Sequence, residues 1–167
     1  MVELPTKLYQ IWIPGEPVAK STKRPPRGAK AYWVVQNDPK YKRLKDTWAY
    51  QRHVSECALA DGCIKFNADD PIQLSAVIRK SGHKTGDTKN IIAAIEDGLQ
   101  WGKYIPNDRQ ITSYSEINVF FGAGKDSVGV LVALQIDPRV RDFEWLTGWL
   151  QSKKKAKEYQ EGCYGKG

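Results

Sequence analysis

The signals along this chain run β, α, β, α, β, β, α and predict a single-domain α/β protein, a mixed β-sheet with helices packed on it. Three observations carry that prediction. Ile72, Leu74, Ala76 and Ile78 alternate with Gln73, Ser75 and Arg79, the two-residue period of a strand with one buried face. Ile91, Ile92, Ile95 and Leu99 recur instead at helical spacing. The run from Val128 to Ile136, VGVLVALQI, is apolar on both faces, as a central strand would be. At 167 residues, 41% hydrophobic, with six Trp, eight Tyr and four Phe, the chain can bury a substantial core. No internal repeat appears and no linker divides it, so residues 1–167 are read as one domain.

The other elements follow in order. Residues 7 to 13, KLYQIWI, read as a strand ended by Pro14-Gly15. The connection from 14 to 37 is too rich in Pro and Gly for regular structure. Between 20 and 30 it carries Lys20, Lys23, Arg24, Arg27 and Lys30 without an acid, and Tyr32 and Trp33 follow. It reads either as a solvated mobile loop or as an arm that grips phosphates, steadied by its aromatics. Asp38-Pro39 is a helix cap with Pro at the first position, and Tyr41, Leu44 and Trp48 continue a helix to about Ala58. A second alternating strand runs from Gln110 to Phe121. Asp137-Pro138 opens a last helix with Phe143, Leu146 and Leu150 inward, and a basic tail from about 153 to 167 ends the chain.

Net charge is +7 with a pI near 9.3, which points to an anionic partner such as nucleic acid. Cys57, Cys63 and Cys163 are odd in number and lack a C-x-x-C, so neither a disulfide framework nor a structural zinc site is expected. No stretch reaches the apolar length of a signal peptide or a membrane span, and a cytoplasmic protein with no membrane partner is expected. His53 and His83 read as surface residues, His83 with the option of touching phosphate.

Residues 85 to 111, TGDTKNIIAAIEDGLQWGKYIPNDRQI, concentrate the polar chemistry. Asp87 can cap the helix that follows it. Asn90 and Asp97, seven apart, lie on that helix's polar side, and Asp108 stands beyond its end, just before a strand. Carboxylates converging from a loop and a strand end would suit Mg²⁺, which takes few protein oxygens and several waters. Asp108 can return toward Asp87 only if the intervening loop doubles over.

Here the sequence resembles the RusA-type Holliday junction resolvases. Asp87-Thr88-Lys89-Asn90, Asp97-Gly98-Leu99 and Asn107-Asp108-Arg109-Gln110-Ile111 are similar to that family's central motifs. Ile13-Pro14-Gly15-Glu16-Pro17-Val18-Ala19-Lys20, with Arg24-Pro25-Pro26-Arg27 behind it, is similar to its N-terminal motif. The likeness spans about residues 15 to 120. It implies a RusA-like homodimeric nuclease that binds four-way DNA junctions and cuts them in paired, Mg²⁺-dependent incisions, with Mn²⁺ as a substitute. Asp87 and Asp108 would hold the metal, Asp97 would support the site and Asn90 would orient ligands. Lys20, Lys23, Arg24, Arg27 and Lys30 would bind DNA.

Three departures matter: Lys89 stands where the family has a catalytic aspartate, Ala93 where it usually has lysine, and Asn107 where an acid is common. Three readings stay open. Lys89 positions phosphate while Asp87, Asp108 and Glu96 or Asp97 keep one metal. Alternatively the site is degenerate, with the Lys89 ammonium between Asp87 and Asp108, and the protein binds branched DNA without cutting it. In the third, Asp87-Thr88-Lys89 is half of a PD-(D/E)xK nuclease site with Asp69 or Asp70 as the distant acid.

Overall fold

A computed structural model describes residues 7–83, 86–139 and 151. The chain forms two compact units, Met1–Ile136 and Asp137–Gly167. The first is an α/β domain built on a four-stranded mixed sheet. Its strands are β1 (Tyr9–Pro14), β2 (Ile72–Arg79), β3 (Ile111–Phe120) and β4 (Gly129–Ile136), in the order β1-β4-β2-β3. β4 runs antiparallel to both β1 and β2, whereas β3 is parallel to β2. The apolar run of β4 therefore belongs to an interior strand, as its two-faced hydrophobicity predicts. In the second unit the Arg139 guanidinium pairs with the Asp137 carboxylate at 3.1 Å. The expected helix with Phe143, Leu146 and Leu150, and the basic tail, lie outside the described residues.

The helices are α1 (Ala31–Asn37), α2 (Lys42–Ala60) and α3 (Thr88–Trp101), and α2 and α3 supply the core's helical layer. Ile72, Leu74, Ala76 and Ile78 are buried at every second position of β2 and share one core with Val130, Val132 and Leu134 of the adjacent β4 and with Ile11 and Ile13 of β1 beyond it. Ile91, Ile95 and Leu99 of α3 and Val54 and Ala58 of α2 close the core from above. All are essentially out of water, and each large side chain so buried contributes roughly 1.5–3 kcal/mol before entropy is counted.

Two sequence readings change. Residues 31–37, expected to be irregular, are helical. The helix has no side-chain cap at Lys30 and only seven residues, too few to stand alone. Tertiary packing holds it: Val35 is fully buried and the Tyr32 ring lies parallel to that of Trp48, centroids 6.2 Å apart. His53, expected at the surface, is half-buried there and has a partner. Its Nε2 lies 2.9 Å from the Pro14 carbonyl and ties α2 to the end of β1. The Asp38-Pro39 start holds, with the Asp38 carboxylate accepting from the Lys40 N–H, though the first turn is 3-10 and the α-helix runs two residues past Ala58.

Candidate nucleic-acid interface

The basic arm is anchored against the helical layer. The Lys20 N–H donates to the Asn90 carbonyl at 2.9 Å, and its ammonium pairs with the Asp97 carboxylate at 2.7 Å. Asp97 also accepts from the Gln51 amide at 3.2 Å. The seven-residue spacing of Asn90 and Asp97 thus grips both ends of one lysine. On α2, the buried Thr47 hydroxyl accepts from the Ser21 N–H at 3.0 Å and donates to the Arg43 carbonyl at 2.9 Å. At the turn, Gly86 packs so closely on Ala19 that an added Cβ would lie 2.4 Å from Ala19 Cβ, and its φ of +38° favours glycine as well. The residues around Ala19 to Ser21 are therefore not a mobile loop. Arg24, Arg27 and Lys30 are exposed beyond this anchor.

Fixing the arm creates a groove of about 950 Å³ between it, the start of α2 and the N-terminus of α3. Lys20, Lys23, Lys40, Lys42 and Arg43 line it, with Asp46, Asp87 and Asn90. Lys20 and Lys42 are engaged by Asp97 and Asp46. Lys23, Lys40 and Arg43 have no carboxylate partner among the described residues, although the Lys23 ammonium donates to the Lys40 carbonyl at 2.7 Å and sits 4.8 Å from the Tyr41 ring centroid. Three such cations in one groove make a surface suited to phosphate. The sequence reading missed Lys40, Lys42 and Arg43. Their signal was present in the run KYKRLK, but it was absorbed into the amphipathic pattern of α2.

The acids divide between two places. Asp87 is the N-cap of α3, its carboxylate accepting from the Lys89 N–H at 3.2 Å, and it lines the basic groove. Gly86 is tied to Lys80, the residue after β2, and the Lys80 N–H bonds the Phe120 carbonyl at the last residue of β3. Asp108 opens the turn just before Ile111, the first residue of β3. The two carboxylates consequently belong to opposite ends of a ten-residue strand, roughly 30 Å long. Asp97 is ten residues along the helix from Asp87, about 15 Å. The loop before β3 does not double over.

Asp108 instead keeps company with Glu96, which accepts a hydrogen bond from the Tyr114 hydroxyl. Burial, above all, pushes the Glu96 carboxyl up from its ordinary range; the Tyr114 hydrogen bond and Lys20 pull it down, and Asp108 and Asp97 raise it further. Burial also raises the Tyr114 hydroxyl, with its hydrogen bond to Glu96 and the charges of Glu96 and Asp108 adding to the effect. A folded pKa above the unfolded one means that this group's stability is fully present below about pH 4 and is lost as pH rises through the folded value. Glu96→Gln should therefore leave stability unchanged in acid and raise it at pH 7, read as urea midpoints at the two pH values. A midpoint that falls at pH 7 would show that the carboxylate is needed for more than accepting from Tyr114.

The implied Mg²⁺ site does not fit the residues as one chain places them. Ligand oxygens stand about 2.1 Å from Mg²⁺, so carboxylates at opposite ends of β3 cannot share an ion. Among the described residues, no group of three or more His, Cys, Asp or Glu side chains converges at metal-binding distance. The Lys89 side chain is exposed and pairs with no carboxylate among the described residues, so it does not sit between Asp87 and Asp108. The PD-(D/E)xK arrangement fails on the same geometry. Asp87 caps a helix rather than lying on a strand, and Asp69 and Asp70 precede β2 while Asp87 follows it. Asp70 accepts from the Asn67 N–H at 2.7 Å and so closes its own turn.

Asn107 has a structural task. Its side chain accepts from the Arg109 N–H, and the Gln110 side chain accepts from the Asn107 N–H, a capping box readable in the sequence as Asn-x-x-Gln. His83 stacks on Phe121 with ring centroids 4.3 Å apart. No helix among the described residues is long and apolar enough to cross a membrane. No protein-family model and no curated protein matches the sequence.

Proposed function

We propose that this protein binds branched DNA, in the manner of the RusA-type proteins its motifs resemble, and that the groove beneath the arm is where the phosphate backbone lies. The observation that supports this most is the trio Lys23, Lys40 and Arg43, cations without a carboxylate partner among the described residues, which line a single groove. A two-fold homodimer in the cytoplasm would present two such grooves to the near-symmetric strands of a four-way junction. Sedimentation of the protein with and without a junction reads that stoichiometry directly.

Mg²⁺-dependent cutting of such junctions is the second reading. It is favoured by one observation: Asp87 and Asn90 line the same groove as the cations, close to where a backbone phosphate would lie. The splitting of Asp87 from Asp108 tells against it within a single chain. A labelled four-way junction incubated with the protein in Mg²⁺, in Mn²⁺ and in EDTA separates the two. Symmetric nicks that need the metal establish the nuclease, whereas a shifted, uncut junction in all three establishes the binder.

Lys89→Asp sharpens the comparison. The substitution puts a second carboxylate two residues from Asp87 and adds an oxygen donor for a hard cation. It also removes a cation from the first turn of α3, where a positive charge opposes the helix dipole by about 0.3–1 kcal/mol. If Lys89 merely fills a vacated ligand position, nicking should appear or rise in Lys89→Asp and rise again in Lys89→Asp with Ala93→Lys. A wild-type protein that cuts well and loses activity on Lys89→Asp would make the lysine itself functional.

A further inference from the structure

Beside the groove the arm forms a second hollow, about 450 Å³, which shares Lys20, Ser21 and Lys23 with it as lining residues. Its character differs. Trp48, Trp101 and Pro25 line it, together with the amide side chains of Gln51 and Gln100. Trp101 ends α3 and is 59% exposed, and the Arg52 guanidinium lies 5.9 Å from its ring centroid. The volume falls within the roughly 300–1,000 Å³ of small-ligand pockets.

Charge separates the tasks of the two hollows. The groove holds five cations against Asp46 and Asp87, whereas the hollow holds Lys20 and Lys23 against Asp97, whose carboxylate already pairs with Lys20. A phosphate gains little from the hollow, while a neutral, flat, hydrogen-bonding group gains two indoles and two amides. Resting on the DNA reading above, we infer that the hollow takes an unpaired nucleobase, stacked on Trp101 or Trp48, while the flanking phosphates stay in the groove. Every base has a π-face, so such a platform is tolerant of sequence and selective for strands whose bases are free. At a branch point the pairs beside the exchange lose a stacking neighbour, so their bases open at lower cost than in continuous duplex. The Gln51 and Gln100 amides would meet polar base edges.

The test compares an oligothymidylate with an abasic strand of equal length and equal charge, by fluorescence anisotropy. The wild-type protein should bind the thymidylate about tenfold more tightly, the effect of one stacked base. Trp101→Ala should erase that preference and leave affinity for the abasic strand unchanged. The side chain is exposed, so the variant keeps its fold, and a thermal melt verifies this. Equal binding of the two strands by wild type, or a preference that survives in both Trp101→Ala and Trp48→Ala, overturns the inference. If the protein then still shifts a four-way junction, the DNA reading stands and only the base site falls. If it binds neither strand nor the junction, both fall together.

Discussion

Replacing Lys23, Lys40 and Arg43 together by glutamine should weaken binding to a four-way junction by roughly 10²–10³-fold near 0.1 M salt. The magnitude follows from counterion release. Each phosphate contact contributes about 0.9 to the slope of log affinity against log salt, so removing three of them should flatten that slope by about 2.7. These three cations line the groove and have no carboxylate partner among the described residues, so their field is available to a ligand. Lys20 makes the contrast. Its ammonium is held by Asp97 at 2.7 Å, so Lys20→Gln should alter the arm more than the salt slope. Anisotropy titrations across a tenfold range of salt decide the matter. A slope that does not change in the triple variant would remove the groove from the binding surface.

Gly98→Ala should destabilise the fold by about 2 kcal/mol net. A Cβ at Gly98 would lie 2.8 Å from the Gln51 carbonyl oxygen and 2.8 Å from Val54 Cβ, because α2 and α3 approach closely there. A carbonyl of a packed helix cannot step aside as a flexible side chain can, which puts the cost at the upper end of the range for overpacking, about 3 kcal/mol. Against it stands the intrinsic helical advantage of alanine over glycine, about 1 kcal/mol in a helix interior. The midpoint of thermal unfolding should therefore drop by several degrees, at roughly 2–4 °C per kcal/mol for a chain of this size. Gly124→Ala is the control, since a Cβ there meets nothing among the described residues nearer than the Ser127 hydroxyl at 3.9 Å, and it should be close to neutral. Should Gly98→Ala melt like Gly124→Ala, the close approach of α2 and α3 would be refuted.

The Gly98 contact also governs the site. The arm is strung between Asn90 and Asp97 on α3 and Thr47 on α2, so the spacing of these two helices sets the width of both hollows. Loosening the helix pair should widen them and reduce affinity for DNA beyond what the drop in stability alone predicts.

Much of the fold was legible along the chain because its cause is local. Alternation in β2, the helical stripe of α3, the two-faced hydrophobicity of β4 and the caps at Asp38 and Asp87 are periodicities and hydrogen bonds within a few residues of each other. The basic arm was legible too, as an acid-free run of cations. α1 was not, because it stands on the burial of Val35 and the contact of Tyr32 with Trp48, which lies sixteen residues further on.

Local sequence was enough to say which side chains of α3 are polar and that Asp87 would cap it; what those side chains face is not written in it. Asn90 and Asp97 looked like members of a metal site and are the two anchors of Lys20. Asp87 and Asp108 looked like partners, since the helix and loop between them are of a length that could fold back. The parallel pairing of β2 with β3 settled the matter the other way. A parallel neighbour must begin beside the start of β2, so the chain has to travel the length of α3 before β3 can open, and that carries Asp108 away from Asp87. Strand direction arises from hydrogen bonding between segments about forty residues apart, such as Ile72 with Ile111, and so it emerges only when the chain is folded.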